Sequence, residues 1–236
     1  MMNAPVRMET VIDMNQQAIQ FIFEGREESA KNLLVDCVEQ AQRHLDEYKK
    51  GTSRANAHAS LGIDSIALMG ALGPEDDWHG YNTRRFCFYR FLFHVHAVAG
   101  DALNETDSIF LCATATYNLA MIHHHCGIVD DDLMAISRAR SFYCVSLDLL
   151  TQDVVLANPE SILLQIALYN NLGHLHSFED DDDDAIQCQT DMRRIFSRNV
   201  ELDPTTKAFF LHSLSVCRAV PSAGISGALA GTFGNK

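Results

Sequence analysis

Apolar residues recur at three- and four-residue spacing along most of this chain, the period of one helical face, and a long central stretch interrupts the recurrence. Over residues 8–44 the pattern predicts two helices meeting at Gly25. Ile12, Ala18, Ile19, Phe21 and Ile22 share a face of the first, and Ala30, Leu33, Leu34, Cys37 and Ala41 a face of the second. Asn104, with Asp107 three residues on, predicts a capped helix start, and that helix is expected to run to about Cys126 and stop at Gly127. The acidic turn Asp130-Asp131-Asp132 then leads into a helix carrying Ala135, Ile136, Ala139, Phe142, Tyr143, Val145 and Leu149. Asn158-Pro159 predicts a further start, since Asn accepts from free helix amides and Pro fits the first helical position. Its partner helix begins in the acidic run 179–184 and continues through Ala185, Ile186, Met192, Ile195 and Phe196. Asp203-Pro204 opens a last helix with Ala208, Phe209, Leu211, Leu214, Ser215 and Arg218, and the Gly, Ala and Ser content after Pro221 predicts a flexible tail.

The interruption has two parts. In 51–83, Gly, Ser, Asn and Pro punctuate short apolar runs such as Ile63-Asp64-Ser65-Ile66-Ala67, which predicts an insertion or linker, with disorder around 53–58 and 74–79. The following stretch, 85–98, is aromatic and partly alternating, which favours an extended conformation, and its five aromatics within 86–93 require a cover. The expected organisation is therefore a first helical hairpin in 1–50, an insertion with an extended aromatic segment in 51–100, two further hairpins and a terminal helix in 101–220, and a tail in 221–236.

Three of these units carry a common motif. Tyr169, Leu172, Gly173 and His176, with Ala185 twelve residues after the Gly, resemble the helix-turn-helix unit of a tetratricopeptide repeat, in which large and small residues alternate so that two antiparallel helices pack closely. Tyr117, Asn118, Leu119, Ala120 and His123 repeat it, with Asn118 answering Asn171. Ala18, Phe21, Gly25, Ala30 and Leu34 fit it in the first unit. The 53 residues from Ala120 to Gly173 exceed the ~34 of a regular array, so the units are elaborated ones. The resemblance covers about half of the chain. It implies an all-α fold of antiparallel helical hairpins stacked as a TPR-like α-solenoid, with one aromatic-rich extended insertion and a terminal capping helix. It also implies a peptide-binding groove lined by the first helix of each unit, here Tyr117, Asn118, Met121, His124 and His125 from one and Asn170, Asn171, His174 and Ser177 from the next.

Charge narrows the partner. The formal charge is -13, and between Phe91 and Met192 the only basic residues are Arg138 and Arg140, against fifteen acids between Asp101 and Asp184. Nucleic acid is disfavoured, because phosphate contacts need a basic surface. Neither groove-lining helix carries Lys or Arg, so a basic or apolar protein segment fits better than an acidic one. No run of ~18 apolar residues predicts a membrane span, and the N-terminus has no signal-type apolar region. The seven cysteines are widely spaced within apolar patterns and read as reduced core residues, which suits a cytosolic or nuclear compartment.

Two chemical alternatives compete with this adaptor reading. His123 and Cys126 are three apart on one helix face, and His174 and His176 come from the equivalent helix of the next unit, a set that invites a zinc-binding module or a metal-dependent enzyme. Against this, His123 and His176 hold the motif position where a large residue packs. The acidic run 179–184 lacks the alternation and central Gly of a calcium loop, and acids also precede the second helix of the other hairpins, where they favour the exposed amides. Gly-x-Ser-x-Gly, phosphate-loop and His-Glu-x-x-His motifs are missing from the sequence, so a non-catalytic protein with no cofactor is expected.

Overall fold

A computed structural model describes residues 8–50, 60–67, 83, 85–99, 105–151, 159–198 and 201–216. The described chain is mostly helical. It comprises α1 (Met8–Phe23), α2 (Glu27–Lys49), β1 (Ser60–Ala67), β2 (Phe91–Ala99), α3 (Glu105–Val129), α4 (Leu133–Leu150), α5 (Pro159–Phe178), α6 (Asp182–Phe196) and α7 (Pro204–Val216). Helices pair as α1 with α2, α3 with α4 and α5 with α6, and successive pairs join through α2 against α3 and α4 against α5.

The three interhelical turns share one construction. Gly25, Asp131 and Asp180 each hold a left-handed backbone, with φ of 70, 53 and 59°. The next amide in each turn reaches back to the preceding helix: Arg26 N to Phe21 O, Asp132 N to Gly127 O and Asp181 N to His176 O. This is the Schellman closure, which satisfies carbonyls that a helix end leaves free. Asp132 then caps α4, accepting from Met134 N and Ala135 N, and Asp181 caps α6, accepting from Asp184 N. Asp203 does the same for α7 through Thr205 N and Thr206 N.

Gly127 was expected to end α3, and the helix instead continues through it to Val129. Its role is steric. A Cβ there would sit 2.7 Å from Ile136 Cδ1 and 2.9 Å from Ile136 N, so its bare backbone lets α4 approach α3. Gly173 plays the matching part in α5, where a Cβ would overlap the ring of Phe86.

The segment expected to be insertion or linker holds β1, antiparallel to β2 with Ile63 opposite Val95 and Asp64 opposite His94. The short apolar run around Ile63 was too brief to separate strand from loop by its pattern. The extended conformation expected for the aromatic stretch is present, and its cover is the helical interior: Phe86, Phe88, Tyr89, Leu92, Phe93 and Val95 are buried among the helices. The stretches 53–58 and 74–79 and the tail 221–236 lie outside the described residues.

These two close approaches give a direct test. Gly127→Ala and Gly173→Ala should each destabilise the protein by about 1–3 kcal/mol through overpacking, even though Ala is favoured over Gly in a helix by about 1 kcal/mol. Thermal denaturation followed by circular dichroism should show a melting temperature lower by several degrees for each; an unchanged or raised value would contradict the packing argument.

Candidate functional site

The inner faces of α1, α3 and α5 converge on the extended segment 86–95, and that segment poses a polar problem. One edge of β2 pairs with β1, while the other edge and the residues before it run through the interior, where an unpaired amide or carbonyl is costly. Side-chain amides supply the partners. Asn118 accepts from Phe93 N and donates to Phe93 O, both at 2.8 Å. Asn171 accepts from Tyr89 N at 3.1 Å and donates to Tyr89 O at 3.0 Å. Asn170 donates to Cys87 O at 2.8 Å, and Ser213 of α7 accepts from Cys87 N at 3.1 Å. Tyr117 donates from its hydroxyl to Phe91 O, Asn15 donates to Phe93 O and Gln16 donates to Val95 O, each at 3.1 Å. Alternate residues from Cys87 to Val95 are thus gripped by every first helix in turn.

The residues expected to line an open groove are therefore interior ones. Tyr117, Asn118, Met121, His124, Asn170, Asn171 and His174 are fully buried, His125 is 6 % exposed, and Ser177 is half-buried. The surface expected to receive a partner peptide is covered by the chain's own strand. Asn15 and Gln16 belong to the same ladder and were missed, although Asn15 lies among the apolar residues of the first helix, an available signal for a buried amide.

The buried polar network continues beyond the ladder. Asn171 Nδ2 lies 3.2 Å from the hydroxyls of both Tyr117 and Tyr143. Tyr143 Oη is 3.2 Å from His124 Nδ1, and His124 Nε2 is 3.1 Å from His174 Nδ1. A neutral imidazole suits this arrangement, donating at one nitrogen and accepting at the other. Phe88 lies over the pair, its ring centroid 4.0 Å from that of His124. Burial, reinforced by His174 and His125, holds His124 well below the usual histidine range, and burial alone of these pushes the Tyr143 phenol well above its own.

The proposed zinc set does not converge. His123 stacks on Phe142, Cys126 Sγ is 3.1 Å from Glu27 Oε2, His174 meets His124, and His176 Nδ1 lies 3.3 Å from Asp181 Oδ2. Helical spacing placed these residues on neighbouring faces, but neighbouring helices separate them. Burial, with the Glu27 carboxylate beside it, pushes the Cys126 thiol up to about 12, which keeps it protonated. Of the six cysteines described, Cys144 is exposed and Cys37, Cys87, Cys112, Cys126 and Cys188 are buried and free.

The acidic run gains specific neighbours. Glu179 pairs with Arg140 at 2.8 Å and Asp182 with Arg85 at 2.8 Å, while Asp180 forms the left-handed turn and Asp181 the cap of α6. Outside the ladder, an apolar trough of about 430 Å³ opens between α2 and α4 over α3. Val38 and Arg43 of α2 and Val145 and Leu149 of α4 form its walls, with Cys112 and Thr116 as floor. The Thr116 hydroxyl is turned back onto Cys112 O at 2.7 Å, so its polar atom is already bonded. Among the described residues, no helix is long and apolar enough to cross a membrane.

Two measurements check the ladder. Asn118→Ala removes the acceptor for Phe93 N and one of the two donors to Phe93 O, Asn15 remaining as the other, and should cost about 1–3 kcal/mol, with faster hydrogen exchange at the Phe93 amide. Because the folded His124 pKa lies below its unfolded value, the unfolded chain binds more protons in mild acid. The stability from keeping it neutral is present above the unfolded value and lost as pH falls below ~6.5. His44, His123 and His125, also lowered chiefly by burial, act in the same direction. Urea denaturation at pH 7.5 and 5.5 should show lower stability at the acid value, with a shallower pH slope in His124→Asn; a flat profile in the parent protein would refute the assignment.

A scan against protein-family models finds no match, and no curated protein or solved structure matches the chain.

Proposed function

We propose that the protein is a non-catalytic interaction scaffold, a TPR-like array of three hairpins that binds a partner helix on its outer surface rather than in its inner face. The observation that carries this reading is the apolar trough between α2 and α4. Its floor offers Cys112 and the methyl of Thr116, and its walls offer Val38, Val145 and Leu149, a surface suited to the apolar face of an amphipathic helix. Val145 is 50 % exposed, and Val35, one turn before Val38, is 41 % exposed, so two branched apolar side chains stand in water along the same helices.

Charge favours a basic partner. The chain carries a formal charge of -13, and α2 presents Asp36, Glu39, Asp46 and Glu47 while α4 adds Asp148, against Arg43 as the cation among the trough's lining residues. A helix with an apolar stripe flanked by Lys or Arg would be drawn in electrostatically and seated by burial. Against a catalytic reading, the histidines and thiols of the interior are enclosed and held in their neutral forms, where no substrate could reach them.

Paired affinity capture tests the proposal. The parent chain and Val145→Glu, a surface change that should leave the fold intact, serve as two baits in extract of the source cell. A stoichiometric partner retained by the parent and lost from Val145→Glu supports the trough; identical retained proteins on both baits would sink it. Synthetic peptides spanning the captured partner should then localise binding to a segment with helical apolar spacing and net positive charge.

A further inference from the structure

The outer face of the ribbon carries three side chains of metal-ligating type that take no part in the interior. Side chains alternate along a strand, so while Phe93 and Val95 turn inward and are fully buried, His94 and His96 stand together on the opposite face. Asp64 of β1 lies directly across from His94, and Gly62, across from His96, adds no side chain beside it. The His96 ring reaches diagonally toward Asp64: its Nδ1 is 3.4 Å from Asp64 Oδ2, yet this enclosed nitrogen makes no hydrogen bond. The His94 and His96 rings are stacked with centroids 6.5 Å apart. One ring nitrogen from each histidine and one Asp64 oxygen fall within 4.8 Å of one another.

We propose that Asp64, His94 and His96 form a three-ligand site for a divalent transition metal, zinc foremost, that clips β1 to β2. Two ligand atoms each ~2.0–2.1 Å from a tetrahedral zinc lie about 3.4 Å apart. That is the separation already present between His96 Nδ1 and Asp64 Oδ2. It also accounts for a nitrogen that faces a carboxylate at ion-pair distance without hydrogen-bond geometry. Both side chains retain exposure, 39 % for His96 and 72 % for Asp64, so small rotations can draw the third ligand in. Two imidazoles with one carboxylate select zinc or its neighbours over magnesium and calcium, which take oxygen ligands. A fourth position is left for water. The consequence is structural, because the strands are far apart in sequence and the metal would bridge them directly.

The cluster of His176 with Asp181 and Asp184 is the natural control. It also groups a histidine with carboxylates, and its His176 Nδ1 likewise faces a carboxylate without a hydrogen bond, but it offers one imidazole rather than two and Asp181 is already engaged as the cap of α6. The untagged full chain, stripped with chelator, is titrated with zinc sulfate by calorimetry, and the same titration is run on Asp64→Ala, His94→Ala, His96→Ala and His176→Ala. Each lost ligand should weaken binding by at least ~100-fold, more than the loss of an outer-shell partner costs, whereas His176→Ala should bind as the parent does and magnesium should give no heat. Zinc should also raise the melting temperature of the parent and not of His96→Ala, and equal metal-free melting temperatures establish that the variant is folded. The proposal is overturned if the parent binds no zinc at ~100 μM, or if binding is unchanged in all three ribbon variants.

Discussion

An extended chain inside a bundle of helices must find partners for its backbone, and this requirement governs the rest of the molecule. Helices keep their own amides and carbonyls occupied, so they can offer a neighbouring strand only side chains. A primary amide is the economical answer, since one Asn presents a donor and an acceptor in the spacing that a single residue's N–H and C=O require. Asn118 and Asn171 each do this for one residue, Phe93 and Tyr89. The four-residue interval between those two strand positions is bridged by Tyr117 at Phe91. The polar residues in otherwise apolar helices are therefore the complement of one strand. Gly173 follows from the same constraint, because the strand approaches α5 closely enough that Phe86 occupies the space of a side chain.

The ladder also explains why α3 and α5 are buried on nearly every side. Each contacts its hairpin partner, a neighbouring hairpin and the extended segment, so only a narrow strip with residues such as His123 and Tyr169 reaches water. The amphipathic helices α2 and α6 carry the charged surface instead. This division encloses Tyr117 and His124 of α3, with Tyr143 of α4 beside them, where burial favours the neutral form of each.

Much of the helical framework was legible because helices announce themselves locally. Gly25, Asp132, Pro159 and Asp203 mark ends or starts by chemistry within a few residues, and the structure puts helix boundaries beside each. Gly127 misled because a glycine in sequence does not say whether its conformational freedom or its missing side chain is used; here Ile136 needs the space. The site was less legible. Asn118, Asn170 and Asn171 were expected to line a groove for another protein, and the structure places them against the chain's own extended segment. What the pattern lacked was the distant pairing: the aromatic stretch and the asparagines are linked over separations of 25 and 82 residues, and no local period carries that information. His94, His96 and Asp64 escaped notice for the same reason, since only the strand register brings them together.

Whether the internal strand could yield its place to an outside peptide is decided by magnitude. Releasing 86–95 would expose Phe86, Phe88, Tyr89 and Phe93, all at least 98 % buried. At about 1.5–3 kcal/mol for each large apolar side chain, this costs on the order of 10 kcal/mol. The clamped amides would add to it, and the total matches the stability of a typical domain, about 5–15 kcal/mol. Displacement would therefore be unfolding, not exchange. The inner face is therefore committed to the protein's own coherence, and the surface left to solvent is on the outer sides of the hairpins.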